Sequence, residues 1–245
     1  DDGIRALYVY SALLLSVGNN FGSYATTGSA PKFWCKWHEM FLNNVEELAY
    51  QKHLLDVVNK GCQEVRAVTE QDEYIYNLCR HERLLELIYH FTLYDAGVKK
   101  LARYQQYFTV KQTVERVKTI ETDKRNGGVV WHTQGSGKSL TMVLLAQMIA
   151  TEVSNPRIVL VTDRTDLDSQ ITKTFKKCGK DVENATTGSK LVELLESDTD
   201  SVITTIINKF ATAIKKIKQP INDPNIFILI DEAHRSQYKE MAMQM

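Results

Sequence analysis

The 245-residue chain has no net charge, because 30 Lys and Arg are matched by 30 Asp and Glu. That balance removes any bulk argument for a polyanion-binding protein, although a local basic surface can persist inside a neutral average. There is no Cys-x-x-Cys pair among Cys35, Cys62, Cys79 and Cys178, and no histidine cluster accompanies them. The pattern offers no zinc framework and predicts reduced thiols in a cytoplasmic protein. Long apolar runs are missing too: "ALYVYSALLLSV" is too short to cross a bilayer and stops at Gly18-Asn19-Asn20, and no signal peptide is present. Internal repeats and low-complexity tracts are absent. "DDGIRALYVY" carries no initiator Met, and "HRSQYKEMAMQM" ends inside a helical pattern, so a piece of a longer polypeptide is expected. The length and ordinary composition suit one large or two modest domains.

Residues 4–27 read as a β-hairpin, "IRALYVYSALLLSV" going out, "GNN" turning and "FGSYATTG" returning. Phe33, Trp34, Trp37 and Phe41 follow as an aromatic cluster suited to core or interdomain packing. Val45, Leu48, Leu54, Leu55 and Val58 recur at helical spacing up to Gly61. "RHERLLELIYHFTLYD" reads as a second helix ending near Asp95-Ala96-Gly97, and a third starts near Tyr104 with Tyr107, Val110, Val114 and Val117 on one face. "ETDKRNGG" reads as a polar linker. Beyond it the rhythm changes to apolar strands alternating with helices: "GVVWH", "RIVLVT", "SVITTI" and "NIFILI" are strands. "GKSLTMVLLAQMIATEV", "DLDSQITKTFKK", "SKLVELLES" and "NKFATAIKKIK" are helices. That alternation predicts an α/β fold with a parallel sheet covered by helices on both faces. The expected division is a hairpin region over 1–41, a helical connector over 42–124 and the α/β lobe over 125–245.

"TQGSGKS" holds what a polyphosphate requires. Gly135 and Gly137 let backbone N–H groups approach, Lys138 reaches phosphate oxygens, and Ser139 can ligate Mg²⁺ at a helix N-terminus. Thr133, Gln134 and Ser136 complete the loop. The strict Walker A pattern has Gly six residues before the Lys, where His132 stands here. A glycine-rich turn that binds nothing is the competing reading. "IFILIDEAHRS" supplies a second half-site at a strand's C-terminal end, where open α/β sheets bind ligands. Asp231 would hold Mg²⁺ and Glu232 would activate water as general base. An acidic helix start is the plainer alternative.

Asp231-Glu232-Ala233-His234 resembles the DEAH box of superfamily 2 helicases and translocases. "GGVVWHTQGSGKSLTM", "NPRIVLVTDRTDLDSQI", "TTIINKF" and "ILIDEAHRSQY" are similar to the motor subunit of type I restriction enzymes, where His also occupies the place of His132. "ARYQQYFTVKQTVERV" resembles that family's adenine-reading segment, with Gln106 the matching residue. "LYVYSALLLSVGNNFGSYATTGS" resembles the end of its nuclease domain. The resemblance implies a RecA-like motor lobe that binds ATP and Mg²⁺ and pulls double-stranded DNA past a bound complex before cleavage. It implies methyltransferase and specificity subunits as partners, and no membrane. It assigns Asp163 and Arg164 to one DNA-track motif, and Thr204, Thr205 and Lys209 to another. Capping and solvated charge are the alternatives for each. The basic runs "KTFKKCGK" and "KFATAIKKIK" suit phosphate contact or a solvated helix face equally.

The family's second lobe with its arginine finger, and the nuclease carboxylates, are expected outside residues 1–245; no Asp-x-Lys or Glu-x-Lys occurs in the chain. Two further readings remain: another superfamily 2 helicase or remodeller, and a non-catalytic nucleotide-binding assembly module.

Overall fold

The computed structural model describes residues 8–121, 124–131, 133, 135–163, 165–197, 201–217 and 223–231. Backbone contacts divide the chain into two compact units, residues 1–109 and 110–245.

The first unit opens with an antiparallel hairpin, β1 (Leu14–Gly18) and β2 (Phe21–Ala25), in which Gly18 faces Phe21 across Asn19-Asn20. The strand begins ten residues later than the expected start at Ile4; Tyr8, Val9 and Tyr10 are exposed and lie outside it. Gly22 lets β2 pass directly beneath Tyr74, since a Cβ there would sit 2.3 Å from the ring. The Tyr24 hydroxyl donates to the Ala102 carbonyl at 2.8 Å, and the Thr26 hydroxyl to Lys99 at 2.6 Å.

Helix α1 (Asn44–Val58) starts where the Asn43 side chain accepts the Glu46 N–H. Its helical spacing is real, yet Val45, Leu48 and Leu55 are exposed and only Leu54 is buried. Helix α2 (Glu70–Cys79) lies in a stretch that the apolar periodicity did not mark. It is set by a capping box in which Thr69 Oγ1 accepts the Asp72 N–H and the Asp72 carboxylate accepts the Thr69 N–H. Helix α3 (His81–His90) stops five residues before the expected Asp95. Thr92–Asp95 (β3) and Val98–Leu101 (β4) form a second hairpin instead. Ala96 and Gly97 both have positive φ, 52° and 81°, the backbone of a two-residue I′ turn. What reads as a helix stop is a hairpin turn, and Leu93 is buried while Tyr94 is exposed, the period of a strand.

Arg83 sits at the centre of this unit with 6% of its side chain exposed. Its guanidinium makes two bonds to Glu39, at 3.0 and 3.3 Å. It also lies 5.1, 4.5 and 5.4 Å from the ring centres of Trp37, Tyr107 and Phe108. Of the sequence's aromatic cluster, Trp37 is core and Phe33 is exposed. Burial, with the Glu86 carboxylate hydrogen-bonded to its hydroxyl, pushes the Tyr107 phenol above its ordinary range.

Helix α4 (Tyr104–Lys118) runs into the second unit, where Val110 and Val114 are buried. "ETDKRNGG" is not a free linker. It carries two short paired strands, β5 (Ile120–Glu121) and β6 (Lys124–Arg125). Arg125 donates to the carbonyls of Val117 and Pro224 and to Asn225 Oδ1, and lies over the Phe227 ring. Residues 128–131, the described part of the expected strand "GVVWH", form none. Val129 and Trp131 are each 85% exposed, because no described strand offers them a ladder.

After α5 (Lys138–Glu152) come β7 (Arg157–Thr162), α6 (Thr165–Lys177), β8 (Glu183–Asn184), α7 (Gly188–Glu196), β9 (Ser201–Ile206), α8 (Ile207–Lys216) and β10 (Ile226–Ile230). The four strands form one parallel sheet in the order β10-β7-β9-β8. Val159, Val161 and Ile203 face a core closed by Leu191, Leu194 and Leu195 of α7 and Ile207, Phe210 and Ala213 of α8. Thr204 points to the other face, where its hydroxyl meets Thr172 of α6 at 3.2 Å. Helices therefore cover both faces, and β7 is buried at every position, as the continuous apolar run requires.

Candidate nucleotide-binding site

The phosphate loop ends in two left-handed glycines. Gly135 has φ 79° and Gly137 φ 88°, conformations that cost a side-chain-bearing residue roughly 1–2 kcal/mol. Gly137 is the N-cap of α5, and its carbonyl accepts the Thr141 N–H at 3.0 Å and the Thr141 hydroxyl at 3.2 Å. Lys138 and Ser139 are thus the first two residues of a helix whose opening N–H groups have no intrahelical partner. Thr133 is exposed, and its carbonyl accepts the Ser136 N–H at 3.3 Å. The Ser136 hydroxyl is buried and has no hydrogen-bond partner among the described residues. An orphaned donor inside an N–H-rich loop fits a polyphosphate with Mg²⁺. Helix α5 is held by burial of Val143, Leu144, Leu145, Ala146, Met148 and Ile149, so the loop rests on a fixed base.

The parallel register sets the second group. Ile230, Val161 and Thr205 stand in one row across the sheet, which places Asp231 and Asp163 at the C-terminal ends of β10 and β7. The Asp231 N–H extends the ladder to the Val161 carbonyl at 3.0 Å. Thr204 and Thr205 are fully buried. The Thr205 hydroxyl has no partner among the described residues. Lys209, half-buried, lies in the first turn of α8 directly after β9. Gln134, Arg164 and Glu232, with His132, Ala233 and His234, lie outside the described residues. Gln106 belongs to the first unit, where it is buried and its Oε1 accepts the Arg103 N–H at 2.9 Å.

Sequence reasoning passed over a polar seam beneath this edge. Asn184 Nδ2 donates to Asp168 Oδ2 at 2.6 Å and to Thr204 Oγ1 at 3.1 Å, joining α6, β8 and β9. The surrounding "DVENATT" is itself largely polar, so no local pattern marks Asn184. Arg125 was likewise passed over: it ties the chain leading to the phosphate loop to the start of the strand that carries Asp231.

Among the described residues no group of three or more His, Cys, Asp and Glu is placed to hold a metal by itself, and none of the four cysteines forms a disulfide. No described helix is long and apolar enough to cross a membrane.

A family model described as SWI2/SNF2 ATPase matches residues 105–245. The type I restriction enzyme HindI endonuclease subunit of Haemophilus influenzae is 39% identical over 186 residues, 69% of this chain and 18% of that protein. A putative type I restriction enzyme MjaIXP endonuclease subunit of Methanocaldococcus jannaschii is 35% identical over 186 residues, 72% and 18% of the two chains. The Staphylococcus saprophyticus SsaAORF53P endonuclease subunit is 26% identical over 205 residues, 82% and 22%. The chain spans about a fifth of the length of these relatives. With its model matched over more than half of the residues, on the phosphate loop and the sheet alike, the chain belongs to the SWI2/SNF2 ATPase family.

Proposed function

We propose that this chain is the ATP-binding lobe of the motor in a type I restriction endonuclease subunit, which translocates double-stranded DNA by ATP hydrolysis before cleavage. The observation that carries the proposal is the loop geometry: two left-handed glycines open a buried helix at Lys138-Ser139, beside an orphaned Ser136 hydroxyl. Lys138 binds the phosphate oxygens, and the loop backbone at Gly135 and Gly137 wraps them, with Thr133, Gln134 and Ser136 completing the loop. Ser139 and Asp231 are the residues that would hold Mg²⁺, which neutralises charge on the β- and γ-phosphates. Glu232 takes the proton of the attacking water, and Gln106 is the adenine reader. Asp163, Arg164, Thr205 and Lys209 would border the DNA track. The reading places the second lobe, the arginine finger and the nuclease carboxylates elsewhere in a longer subunit. The partners are methyltransferase and specificity subunits in the cytoplasm.

The test is ATP binding and hydrolysis by this chain, with and without double-stranded DNA. An arginine finger contributes roughly 10³–10⁵ in rate, so the chain should bind ATP and turn it over very slowly. Lys138→Ala should weaken ATP binding by about 1.5–3 kcal/mol, the worth of a charged hydrogen bond. Unchanged affinity would remove Lys138 from the site. Strong DNA-stimulated turnover would show a complete motor and overturn the half-site reading.

A further inference from the structure

The proposed ATP site has two halves on separate segments, the phosphate loop at the start of α5 and Asp231 at the end of β10. Among the described residues β10 pairs only with β7, and residues 126–131, which lead toward the loop, join no ladder. Sheet pairing therefore does not set the entering chain against the strand that carries Asp231. The side chain of Arg125, on β6 at the start of that entering chain, does so. Its Nε donates to the Pro224 carbonyl at 2.5 Å and its Nη2 to Asn225 Oδ1 at 3.0 Å, the two residues just before β10. Its Nη1 donates to the Val117 carbonyl at 3.0 Å, in the last turn of α4. The same guanidinium lies 5.4 Å from the ring centre of Phe227, inside β10. Asn225 is gripped from the other side as well, since its carbonyl accepts the Arg157 N–H at 2.9 Å and its N–H donates to Asp223 Oδ1 at 2.8 Å. One residue thus holds β7 by its backbone and Arg125 by its side chain.

A planar fork of N–H donors suits a junction of three segments, whereas a lysine offers one compact charge. Mg²⁺ accepts little error in the placement of its ligands, because it demands a nearly octahedral shell at about 2.0–2.1 Å. Asp231 lies beyond β10, about 20 Å from Asn225 along a strand that rises about 3.3 Å per residue. Over that length a tilt of about 3° between the entering chain and β10 displaces one half-site from the other by about 1 Å. We infer that Arg125 is a positioning residue of the proposed site: it aligns the chain entering the phosphate loop with β10, so that Ser139 and Asp231 reach one Mg²⁺ together. The inference rests on the ATP-site reading and gives Arg125 no contact with the nucleotide.

The experiment measures ATP affinity of the chain by calorimetry, once with Mg²⁺ and once with a chelator. The variants are Arg125→Met, Arg125→Lys, Asp231→Asn, Arg125→Met with Asp231→Asn, and Lys138→Ala. In Arg125→Met the metal-free affinity should stay within about twofold of the unaltered chain, while the gain on adding Mg²⁺ shrinks by about fivefold or more. Arg125→Lys, which keeps the charge without the fork, should lie between, and it carries the same test if Arg125→Met does not fold. The double variant should match Asp231→Asn alone, because a misplaced carboxylate and an absent one lose the same Mg²⁺ contact. A role in stability alone lowers the folded fraction, which scales both affinities together and leaves the Mg²⁺ gain intact. That result, or losses that add in the double variant, overturns the inference. If Lys138→Ala binds ATP as the unaltered chain does, the site itself falls and this inference with it. If Lys138→Ala and Asp231→Asn lose binding as proposed while Arg125→Met keeps its Mg²⁺ gain, the site stands and Arg125 alone is removed from it.

Discussion

Each unit buries an arginine, and the two solve the problem differently. Arg83, on α3, is neutralised by a carboxylate more than forty residues away and wrapped by three aromatic rings, two of them on α4. Arg157 opens β7 in the second unit and turns its guanidinium onto the carbonyls of Leu195 and Ser197 at the end of α7, with Asp223 as its ion-pair partner. In the first case a charge organises a core made of distant side chains. In the second a charge closes a helix end at the margin of an aliphatic sheet, where helix carbonyls favour a cation. The first unit therefore depends on particular long-range contacts and the second on repeated local pattern.

The comparison can be broken most severely at Arg83. Arg83→Ala leaves the interior Glu39 carboxylate with Arg80, at 3.6 Å, and the Trp37 indole N–H, at 3.4 Å, and should cost up to about 3–5 kcal/mol. Urea unfolding followed by the fluorescence of Trp37, against which the guanidinium packs, measures it. Replacing both partners, Arg83→Met with Glu39→Met, should recover most of that loss. A double variant as unstable as the single would mean that the rings, rather than the pair, hold this centre. Arg157→Ala should cost about 2–3 kcal/mol, since it orphans two carbonyls and one carboxylate. Its effect should appear in backbone hydrogen exchange of α7 and β7 while Trp37 reports no change. The smallest effect is at the capping box. The Arg66 guanidinium, then the Thr69 N–H and hydroxyl, hold the Asp72 carboxyl well below the usual carboxylate range, against partial desolvation. That stability is fully present above the unfolded carboxylate value and is lost as pH falls below it. Solvent screening limits it to about 1 kcal/mol or less. Asp72→Asn should flatten the acid limb of the first unit's pH–stability curve; an unchanged limb would assign acid sensitivity elsewhere.

The same contrast explains what could be read from sequence. β7, β9 and β10, and helices α5 to α8, follow from apolar runs and helical periods, because a doubly covered parallel sheet writes its burial into every strand residue. In the first unit the local signals mislead. Leu93 and Phe91 extend the helical pattern of α3, yet the I′ backbone at Ala96-Gly97 turns the chain into a hairpin. Helix α2 shows itself only through Thr69 and Asp72, a cap rather than a period. Val129–Trp131 has strand composition, and composition cannot supply a neighbouring strand. At the candidate site, Gly135, Gly137, Lys138 and Asp231 are legible because the proposed phosphate chemistry demands those residue types. Arg125 and Asn184 are not, because their roles come from segments that meet only after folding.

The strand order carries a consequence for synthesis. β7 lies between β9, which follows it through two helices, and β10, which is made last. Once Ser201–Ile206 has docked on one side of β7, its other edge waits until Ile226–Ile230 emerges. At translation speeds of about 5–20 residues per second, that interval is on the order of one to several seconds. During it a strand with an apolar centre, Ile158–Val161, presents open N–H and C=O groups to any neighbour, which exposes the newborn chain to mispairing until β10 docks.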